Sequence, residues 1–142
     1  FDEAEKYFSE AIKLYNKDSL FYSNYANLKL EKKEYSSARQ YSIQALSMNK
    51  DLFMNHFVKG IAETELRNYN AGINDLNNAN NLIQNHPLVI FHLAKSYDGS
   101  GNKSNAVTYY KKTLELTDDK EIIAYVQTRL TVLEPSWNKP KS

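Results

Sequence analysis

Small residues recur in this chain at a fixed interval of 34 positions, in three separate series. The series are Ala4, Ala38, Gly72 and Ala106; Ala26, Gly60 and Ala94; and Ala11, Ala45, Ala79 and Thr113. A small side chain that returns in constant phase marks a place where two helices approach closely. A period of this length, with two helices in each period, is typical of helical solenoids, in which each repeat packs only on its neighbours. The pattern therefore predicts an all-α solenoid built from helix pairs.

The phase of this pattern divides the chain into units. We expect one repeat domain over residues 1–134 and a polar tail over 135–142. The domain consists of a half repeat, three full repeats and a capping helix, over 1–18, 19–52, 53–86, 87–120 and 119–134. An apolar stripe with spacings of three and four predicts the capping helix, and it comprises Ile122, Ile123, Val126, Leu130 and Leu133. Pro135 ends this helix, and Trp137 is the one residue of the tail that we expect to be anchored.

Composition excludes several classes of function. Among 142 residues, 18 are basic and 17 are acidic, and a net charge of +1 offers no electrostatic case for binding nucleic acid or an anionic membrane. The absence of cysteine excludes disulfides and Cys-based zinc sites. No apolar run is long enough for membrane insertion. The sequence leaves the compartment open and slightly favours the cytoplasm. Because the chain starts at Phe1 inside a helical pattern, we expect it to be a piece of a longer protein.

The turns between the two helices of each repeat differ in composition. The turn of the last full repeat contains two glycines, in the segment Asp98 to Asn102, where glycine can adopt positive φ. The equivalent turns, at Lys32 to Glu34 and at Arg67 to Asn68, contain no glycine. We therefore expect these two turns to be tighter or more strained.

The repeat pattern resembles the tetratricopeptide repeat family over residues 1–120. The unit over 87–120 matches the family's large, small and aromatic positions best, with Ile90, Leu93, Ala94, Tyr97, Gly101, Ala106, Tyr110 and Leu114. The proline that closes the family's repeats is replaced by Lys50, Gln84 and Asp118. The resemblance implies a right-handed superhelix of antiparallel helix pairs, and a non-catalytic scaffold or adaptor that binds a protein or peptide partner.

The resemblance also implies that the first helices of the repeats line a concave groove. The predicted partner-binding residues are Asn24, Asn27, Met54, Phe57, Val58, Ile61, Leu88, Phe91, His92 and Lys95. The middle of this set is apolar, which favours an amphipathic or apolar peptide as the ligand. Two alternatives stay open: these side chains pack only within their own repeats, or the chain's own tail or extra helix fills the groove.

One known binding mode of the family fits this sequence poorly. Some relatives hold the C-terminal carboxylate of a chaperone peptide with Lys, Arg and Asn side chains. Asn24 or Asn27 could supply the Asn, but Met54 and Val58 stand where the next unit would need basic residues. If the next unit is instead the one over 87–120, the basic positions would be Leu88 and His92. Leucine carries no charge, and histidine is mostly neutral at pH 7.

Other functions remain as alternatives to the peptide-binding groove. The half repeat lacks a first helix in this sequence, so we expect part of the cover to be missing from Ala4, Phe8, Ala11 and Ile12, and this end is a candidate for homo-oligomer formation. The chain is alternatively a regulatory or oligomerisation domain of an enzyme or assembly whose other parts lie outside this sequence. A bacterial secretion chaperone with three such repeats is a further alternative.

No catalytic, cofactor or metal site is predicted. None of the three histidines, His56, His86 and His92, has a second ligand at the spacing that a helical zinc site needs. The segment that starts at Asp98 begins like a calcium loop, but Lys103 and Tyr109 stand where that loop needs Gly and Glu. No Ser, His and acid arrangement suggests nucleophilic catalysis.

Overall fold

The computed structural model describes residues 2–14 and 19–137, and the side-chain surroundings at positions 8, 9 and 11–14 lie outside that description. Within this part of the chain there are eight α-helices and no strands. The helices are α1 Asp2–Leu14, α2 Ser19–Glu31, α3 Tyr35–Met48, α4 Phe53–Glu65, α5 Tyr69–Leu82, α6 Pro87–Gly99, α7 Lys103–Leu116 and α8 Lys120–Leu133. The all-α fold predicted from the sequence is confirmed.

The helices follow the period of the sequence pattern. The helices α2, α4 and α6 begin at Ser19, Phe53 and Pro87, and each of them packs on the helix that follows it. The partners α3, α5 and α7 also begin one period apart. Short turns connect the members of each pair, so the two helices run antiparallel. Each pair then packs on the next one, and the result is a solenoid.

The stack curves because the helices of one layer are closer together than those of the other. The helices α2, α4 and α6 contact one another along the stack, whereas successive helices α3, α5 and α7 are held further apart. Buried hydrogen bonds connect the closer layer, from Ser23 to Asn55 and between Thr64 and Ser96. We call α2, α4, α6 and α8 the inner helices, and α3, α5 and α7 the outer helices. The inner helices form the concave face.

The recurring small residues lie where helices approach closely. A Cβ atom added to Gly72 would lie 3.1 Å from the carbonyl oxygen of Gly60, and it would also meet the hydroxyl group of Thr64. Ala38 and Ala106 belong to the same series as Gly72 and are fully buried, and so is Ala79 of another series. The period seen in the sequence therefore records the contact between each inner helix and its outer partner.

Apolar clusters join neighbouring pairs of helices. One cluster places Leu76 of α5 against Val89, Ile90 and Leu93 of α6. A second cluster joins α6, α7 and α8, with Val126 and Leu130 fully buried, and Trp137 packs against its edge. The last described helix is thus attached to the stack in the same way as the helices before it.

The N-terminal helix is held to the stack by charge. Glu5 of α1 forms ion pairs with Lys29 and Lys32 of α2, and the hydrogen bonds from these two ammonium groups lower the pKa of Glu5 to about 2. The prediction of an uncovered face at Phe8, Ala11 and Ile12 falls on side chains outside the described part. The same applies to the tail beyond Trp137.

The turns within the repeats share one backbone conformation. Lys33, Arg67 and Gly101 occupy the same position in their repeats and have φ of 60°, 66° and 84°. In each turn this residue donates its N–H group to the carbonyl group three residues back, and the next residue donates to the one five residues back. This is a Schellman motif, whose left-handed residue is usually glycine. The two turns without glycine have the same hydrogen bonds as the glycine turn and are not tighter, but Lys33 and Arg67 occupy the left-handed region, which a Cβ atom disfavours.

Because the turns share this geometry, adding a glycine at Lys33 and removing the one at Gly101 should change the free energy of unfolding in opposite directions. We expect Lys33→Gly to raise the free energy of unfolding by about 1 kcal/mol, because it removes the strain of a left-handed Lys. We expect Gly101→Ala to lower it by about 1 kcal/mol, since only the backbone angle opposes that Cβ, which has open space around it. Urea unfolding followed by circular dichroism measures both changes. Equal effects of the same sign would contradict this account of the turns.

Candidate functional site

An exposed row of apolar side chains crosses the starts of the inner helices. Leu20, Met54 and Leu88 stand one repeat period apart, and they are 57%, 39% and 38% exposed. Each is the second residue of its helix, so the three side chains occupy equivalent places on successive repeats. We call these three residues the apolar row.

Aromatic side chains lie next to the apolar row, about one helical turn further along the inner helices. Phe57, Phe91 and Tyr125 are likewise separated by one repeat period each. The rings of Phe91 and Tyr125 meet edge to face, with centroids 5.5 Å apart. Phe57 and Phe91 are each only 9% exposed, because they also belong to the apolar clusters between the repeats. They form the floor of the concave face rather than its outermost surface.

The structure separates the ten predicted groove residues into two groups. Met54 and Leu88 are exposed, Asn24 is exposed, and Asn27 and Lys95 are partly exposed. Phe57, Ile61 and Phe91 lie mostly in the core. These two groups correspond to the two interpretations that the sequence left open, since part of the set lies on the surface and part packs between repeats.

Val58 requires a correction. It is 1% exposed and packs in a buried cluster with Ala26, Ala38 and Ala62. Val58 directly follows Phe57, and the turn of the helix carries its side chain towards the preceding pair instead of the groove. The prediction that Val58 contacts a partner is therefore wrong.

His92 is a neutral group within this surface. Its ring lies against Phe91 and Phe57, with centroid distances of 5.3 and 6.2 Å. Burial, and then the charge of Lys95, lower the pKa of His92 to about 3. The imidazole is thus uncharged at neutral pH, and its Nδ1 atom has no hydrogen-bond partner in the described part of the chain. It adds an aromatic surface to the concave face and no positive charge.

The far end of the concave face contains charged residues that the sequence analysis missed. Arg129 of α8 binds Asp98 of α6 with both ends of its guanidinium group, at 2.8 and 2.9 Å. The hydroxyl group of Tyr110 donates to the same carboxylate at 2.8 Å, and burial together with this hydrogen bond raises the pKa of Tyr110. Since Arg129 follows Lys95 by one repeat period, extending the repeat phase into α8 could have identified it. The last helix therefore also serves as a fourth inner helix.

These charged residues border an open pocket of about 580 Å³ at the C-terminal ends of α4 and α6. Its lining consists of Thr64, Glu65, Arg67, Tyr69, Lys95, Asp98, Gly99, Tyr125 and Arg129. Lys95 reaches Glu65 at 3.5 Å, and its ammonium group lies over the rings of Phe91 and Tyr125 at 5.4 and 5.5 Å. We call this the C-terminal pocket.

Two further properties concern only the part of the chain that the structure describes. None of its helices is long and apolar enough to cross a membrane. No group of three or more His, Asp or Glu residues is arranged there to hold a metal ion.

The fold and the concave face define a helical-repeat protein whose inner helices form one extended surface. A family model described as the tetratricopeptide repeat matches residues 89–120, which cover most of α6, all of α7 and the turn before α8. The helix pairs before this segment repeat its length and phase. This segment of the chain therefore matches the tetratricopeptide repeat, and the fold of the preceding pairs is similar to it.

Solved structures of other proteins share this fold. A crystal structure of MamA superposes with a TM-score of 0.84 at 15% identity, over 94% of this chain and 77% of that one. MamA 41-end from Desulfovibrio magneticus RS-1 has a TM-score of 0.77 at 17% identity, over 97% and 88% of the two chains. The first TPR of Spaghetti (RPAP3), bound to the HSP90 peptide SRMEEVD, has a TM-score of 0.72 at 15% identity, over 81% and 92%. No curated protein sequence matches the chain significantly.

Proposed function

We propose that this chain is a non-catalytic interaction module that binds an apolar or amphipathic peptide segment of a partner protein on its concave face. The tetratricopeptide repeat fold supports a protein-interaction module, since repeat solenoids use their concave surfaces for binding. The observation that carries the finer proposal is the apolar row, which stays exposed in the same place on three successive repeats. The structural neighbour from Spaghetti (RPAP3) is bound to an HSP90 peptide, which supports peptide binding by a domain of this fold, whereas the apolar character of the ligand rests on the apolar row.

The size of the apolar row suits a moderate affinity. Burying an exposed Leu or Met side chain contributes about 1.5–3 kcal/mol before the cost of ordering the peptide. Two or three such contacts, less that cost, correspond to dissociation constants in roughly the micromolar range. The aromatic floor at Phe57 and Phe91 adds contact area without requiring these rings to move.

The variants that test the proposal must leave the core intact. Phe57 and Phe91 are unsuitable for this purpose, because a charge at either position would enter an apolar cluster. Met54 and Leu88 are suitable because they lie in the first turns of α4 and α6, where an introduced Glu interacts favourably with the helix N-terminus. The chain also offers matched controls: Met48 and Leu82 are 41% and 42% exposed, and they lie at the ends of outer helices.

We expect the double variant Met54→Glu, Leu88→Glu to weaken peptide binding by about a hundredfold, because each lost apolar contact accounts for about tenfold. The probe is a linear peptide selected from a random display library against the wild-type protein. Its affinity is measured by fluorescence anisotropy. The control variant Met48→Glu, Leu82→Glu should bind the same peptide within about threefold of wild type.

Circular dichroism must show that both double variants keep the wild-type helicity. Binding that is equally weak in the two double variants, or equally strong in both, would contradict the concave face as the binding site. A selection on the wild-type protein that yields no binding peptide would contradict the proposed function as a whole.

A further inference from the structure

We propose that two buried hydrogen-bonded pairs between inner helices set the spacing of the apolar anchors that a ligand must have. The pairs are Ser23 with Asn55 and Thr64 with Ser96, and we call them the inter-helix pairs. Their role is to position the helices that present the apolar row. The inference rests on the proposed function and adds what makes the concave face selective for one ligand geometry.

The inter-helix pairs attach α4 to both of its neighbours in the inner layer. Asn55 lies in the first turn of α4 and is bonded to α2, whereas Thr64 lies in the last turn of α4 and is bonded to α6. Met54, the middle member of the apolar row, directly precedes Asn55. Because α4 is held at both ends, the positions of Leu20, Met54 and Leu88 relative to one another depend on these two contacts.

In the first inter-helix pair, the hydroxyl group of Ser23 donates to Oδ1 of Asn55. The amide nitrogen of Asn55, Nδ2, donates to the carbonyl group of Asn49 at 3.2 Å, which leaves Oδ1 facing Ser23. A hydroxyl group carries one proton, and its second acceptor here is the carbonyl group of Ser19, at 2.9 Å on the same helix. Both side chains of the pair are buried, so removing the Ser23 hydroxyl would take away the donor of a buried oxygen.

The second inter-helix pair brings α4 and α6 closer together than an apolar contact would allow. The hydroxyl oxygens of Thr64 and Ser96 lie 2.6 Å apart, and both side chains are buried. Nonbonded carbon atoms keep a distance of about 3.5–4.0 Å, so a methyl group in place of the Thr64 hydroxyl would move the helices apart by about 1 Å. Gly72 of α5 borders this hydroxyl on the other side, and a Cβ atom there would collide with it. The Thr64 hydroxyl is thus confined between two neighbouring helices.

Hydrogen bonds define the distance between helices more closely than the apolar clusters do. Apolar attraction is non-directional, whereas a hydrogen bond fixes the separation of two atoms and the angle between their groups. The helices α4 and α6 also share an apolar cluster, which contains Phe57 and Ile61 of α4 and Val89 and Ile90 of α6. That cluster supplies attraction, and the inter-helix pairs fix the separation. A peptide with two apolar anchors therefore meets a fixed spacing, which an extended chain can match only in steps of about 3.3 Å.

The test removes both inter-helix pairs and has a control of identical chemistry. The test variant is Ser23→Ala, Thr64→Val, in which Val keeps the shape of the Thr side chain. The control variant is Ser42→Ala, Thr113→Val, at buried positions of the outer helices α3 and α7. Within the described part of the chain, the Ser42 hydroxyl has no hydrogen-bond partner, and the Thr113 hydroxyl donates at 2.8 Å to Tyr109 of its own helix. The control therefore loses the same atoms without loosening the inner layer.

The readout is the preference for anchor spacing, not the affinity alone. A peptide selected by display against the wild-type protein is synthesised as selected and with one glycine inserted between its two apolar anchors. Fluorescence anisotropy then gives both affinities. We expect wild type and the control variant to prefer the selected peptide by about tenfold, because the insertion shifts one anchor by about 3.3 Å.

In the test variant this preference should fall to about twofold or less, because the helices are no longer held at one separation. The single variants at position 64 separate the hydroxyl group from the rest of the side chain. Thr64→Val should lose part of the preference, and Thr64→Ser, which keeps the hydroxyl group, should restore most of that part. A general loss of stability would weaken the binding of both peptides and leave their ratio unchanged.

A distance measurement tests the positioning without a ligand. The chain contains no cysteine, so spin labels can be attached at Leu20→Cys and Leu88→Cys, and pulsed EPR gives their separation. We expect this separation to increase or its distribution to broaden by about 1 Å or more in the test variant, and to stay unchanged in the control variant. Circular dichroism compares the helicity of all proteins. If the test variant loses helicity, Ser23→Ala and Ser42→Ala carry the same comparison, because Ala favours the helix.

The outcomes separate this inference from the proposed function. A tenfold preference that survives in the test variant, or an equal loss in the test and control variants, would overturn the positioning role and leave the apolar row supported. An unchanged label distance in the test variant, or a wild-type protein that binds both peptides alike, would also overturn it. If the wild-type protein selects no peptide, the proposed function itself fails.

Discussion

Truncating Leu76 to Ala is expected to lower the free energy of unfolding by about 2–5 kcal/mol, and adding a methyl group at Gly60 should recover part of this loss. Leu76 is fully buried at the junction of α4, α5 and α6. A Cβ atom on Gly60 would lie 2.6 Å from Cγ and 2.8 Å from Cδ2 of Leu76. The new methyl group would therefore enter the space that the shortened side chain leaves.

Each single change and the double change have distinct expected effects. Gly60→Ala alone should cost about 1 kcal/mol, because overpacking against Leu76 exceeds the gain in helix propensity. The double variant should be more stable than the sum of the single effects predicts, by about 1 kcal/mol or more. Urea unfolding at neutral pH gives all three values.

A control on the same helix identifies the source of this coupling. Leu82→Ala removes the same atoms from an exposed position at the end of α5, and it should cost less than about 1 kcal/mol. Combined with Gly60→Ala, it should show an additive effect. Additive energies for Gly60 and Leu76 as well would show that the two helices do not meet as the structure describes.

Replacing Glu63 by Gln is expected to lower the free energy of unfolding by about 3 kcal/mol, because it removes the anion that holds a buried group of charges together. Glu63 is 2% exposed and accepts from Arg39 at 2.6 Å and from Asn68 at 3.1 Å. Lys59 lies 3.4 Å from its other oxygen and also binds Asp75 at 2.7 Å. The group connects α3, α4 and α5 across two repeats.

The contributions of Glu63 and Asp75 to the free energy of unfolding are expected to change in opposite directions as pH falls. Burial by itself would raise the pKa of Glu63, but hydrogen bonds from Asn68 and Arg39 and the charge of Lys59 outweigh it, so the pKa lies below 4.5. Burial raises the pKa of Asp75 above 3.8 in spite of its bond to Lys59. Asp75→Asn should therefore cost only about 1 kcal/mol or less, because ionised Asp75 is disfavoured in the fold.

The sign of each effect follows from linkage. A lowered pKa stabilises the fold at pH values above the unfolded-state pKa, so the contribution of Glu63 is lost as pH falls below about 4.5. The raised pKa of Asp75 has the opposite effect, since the ionised carboxylate lowers the free energy of unfolding at neutral pH. This loss of stability disappears as pH falls and the carboxylate becomes protonated.

Urea unfolding between about pH 7 and pH 3 measures both linkages. The advantage of wild type over Glu63→Gln should shrink as pH falls, and the advantage of wild type over Asp75→Asn should grow. Parallel curves for wild type and Glu63→Gln would contradict the role given to this carboxylate.

Much of the fold could be predicted from the sequence because repeat contacts are local. The small residues at Ala38, Gly72 and Ala106 recur where an outer helix meets its inner partner, and this pairing involves residues close in the chain. The turn residues Lys33 and Arg67 stand where Gly101 stands, so the strain in their turns also follows from the repeat phase.

The candidate site was predicted less completely, because exposure depends on how one pair of helices is rotated against the next. Met54 and Leu88 lie on the surface, whereas Val58 lies in the core one helical turn after Met54. The repeat pattern assigns all three to the inner helices, but it does not state which side chains the preceding pair will cover.

The amino-acid sequence by itself determined the period, the helix pairs and the turn positions, since these depend on spacing and on side-chain size within a single repeat. Tertiary structure alone decided which charges pair, and it brings Arg129 of α8 to Asp98, 31 positions away. It also placed Arg67 at the edge of the resulting pocket, where its side chain has no hydrogen-bond or ion-pair partner among the described residues. The physical reason is that charge pairing and burial depend on distances between repeats, which the curvature of the whole stack sets.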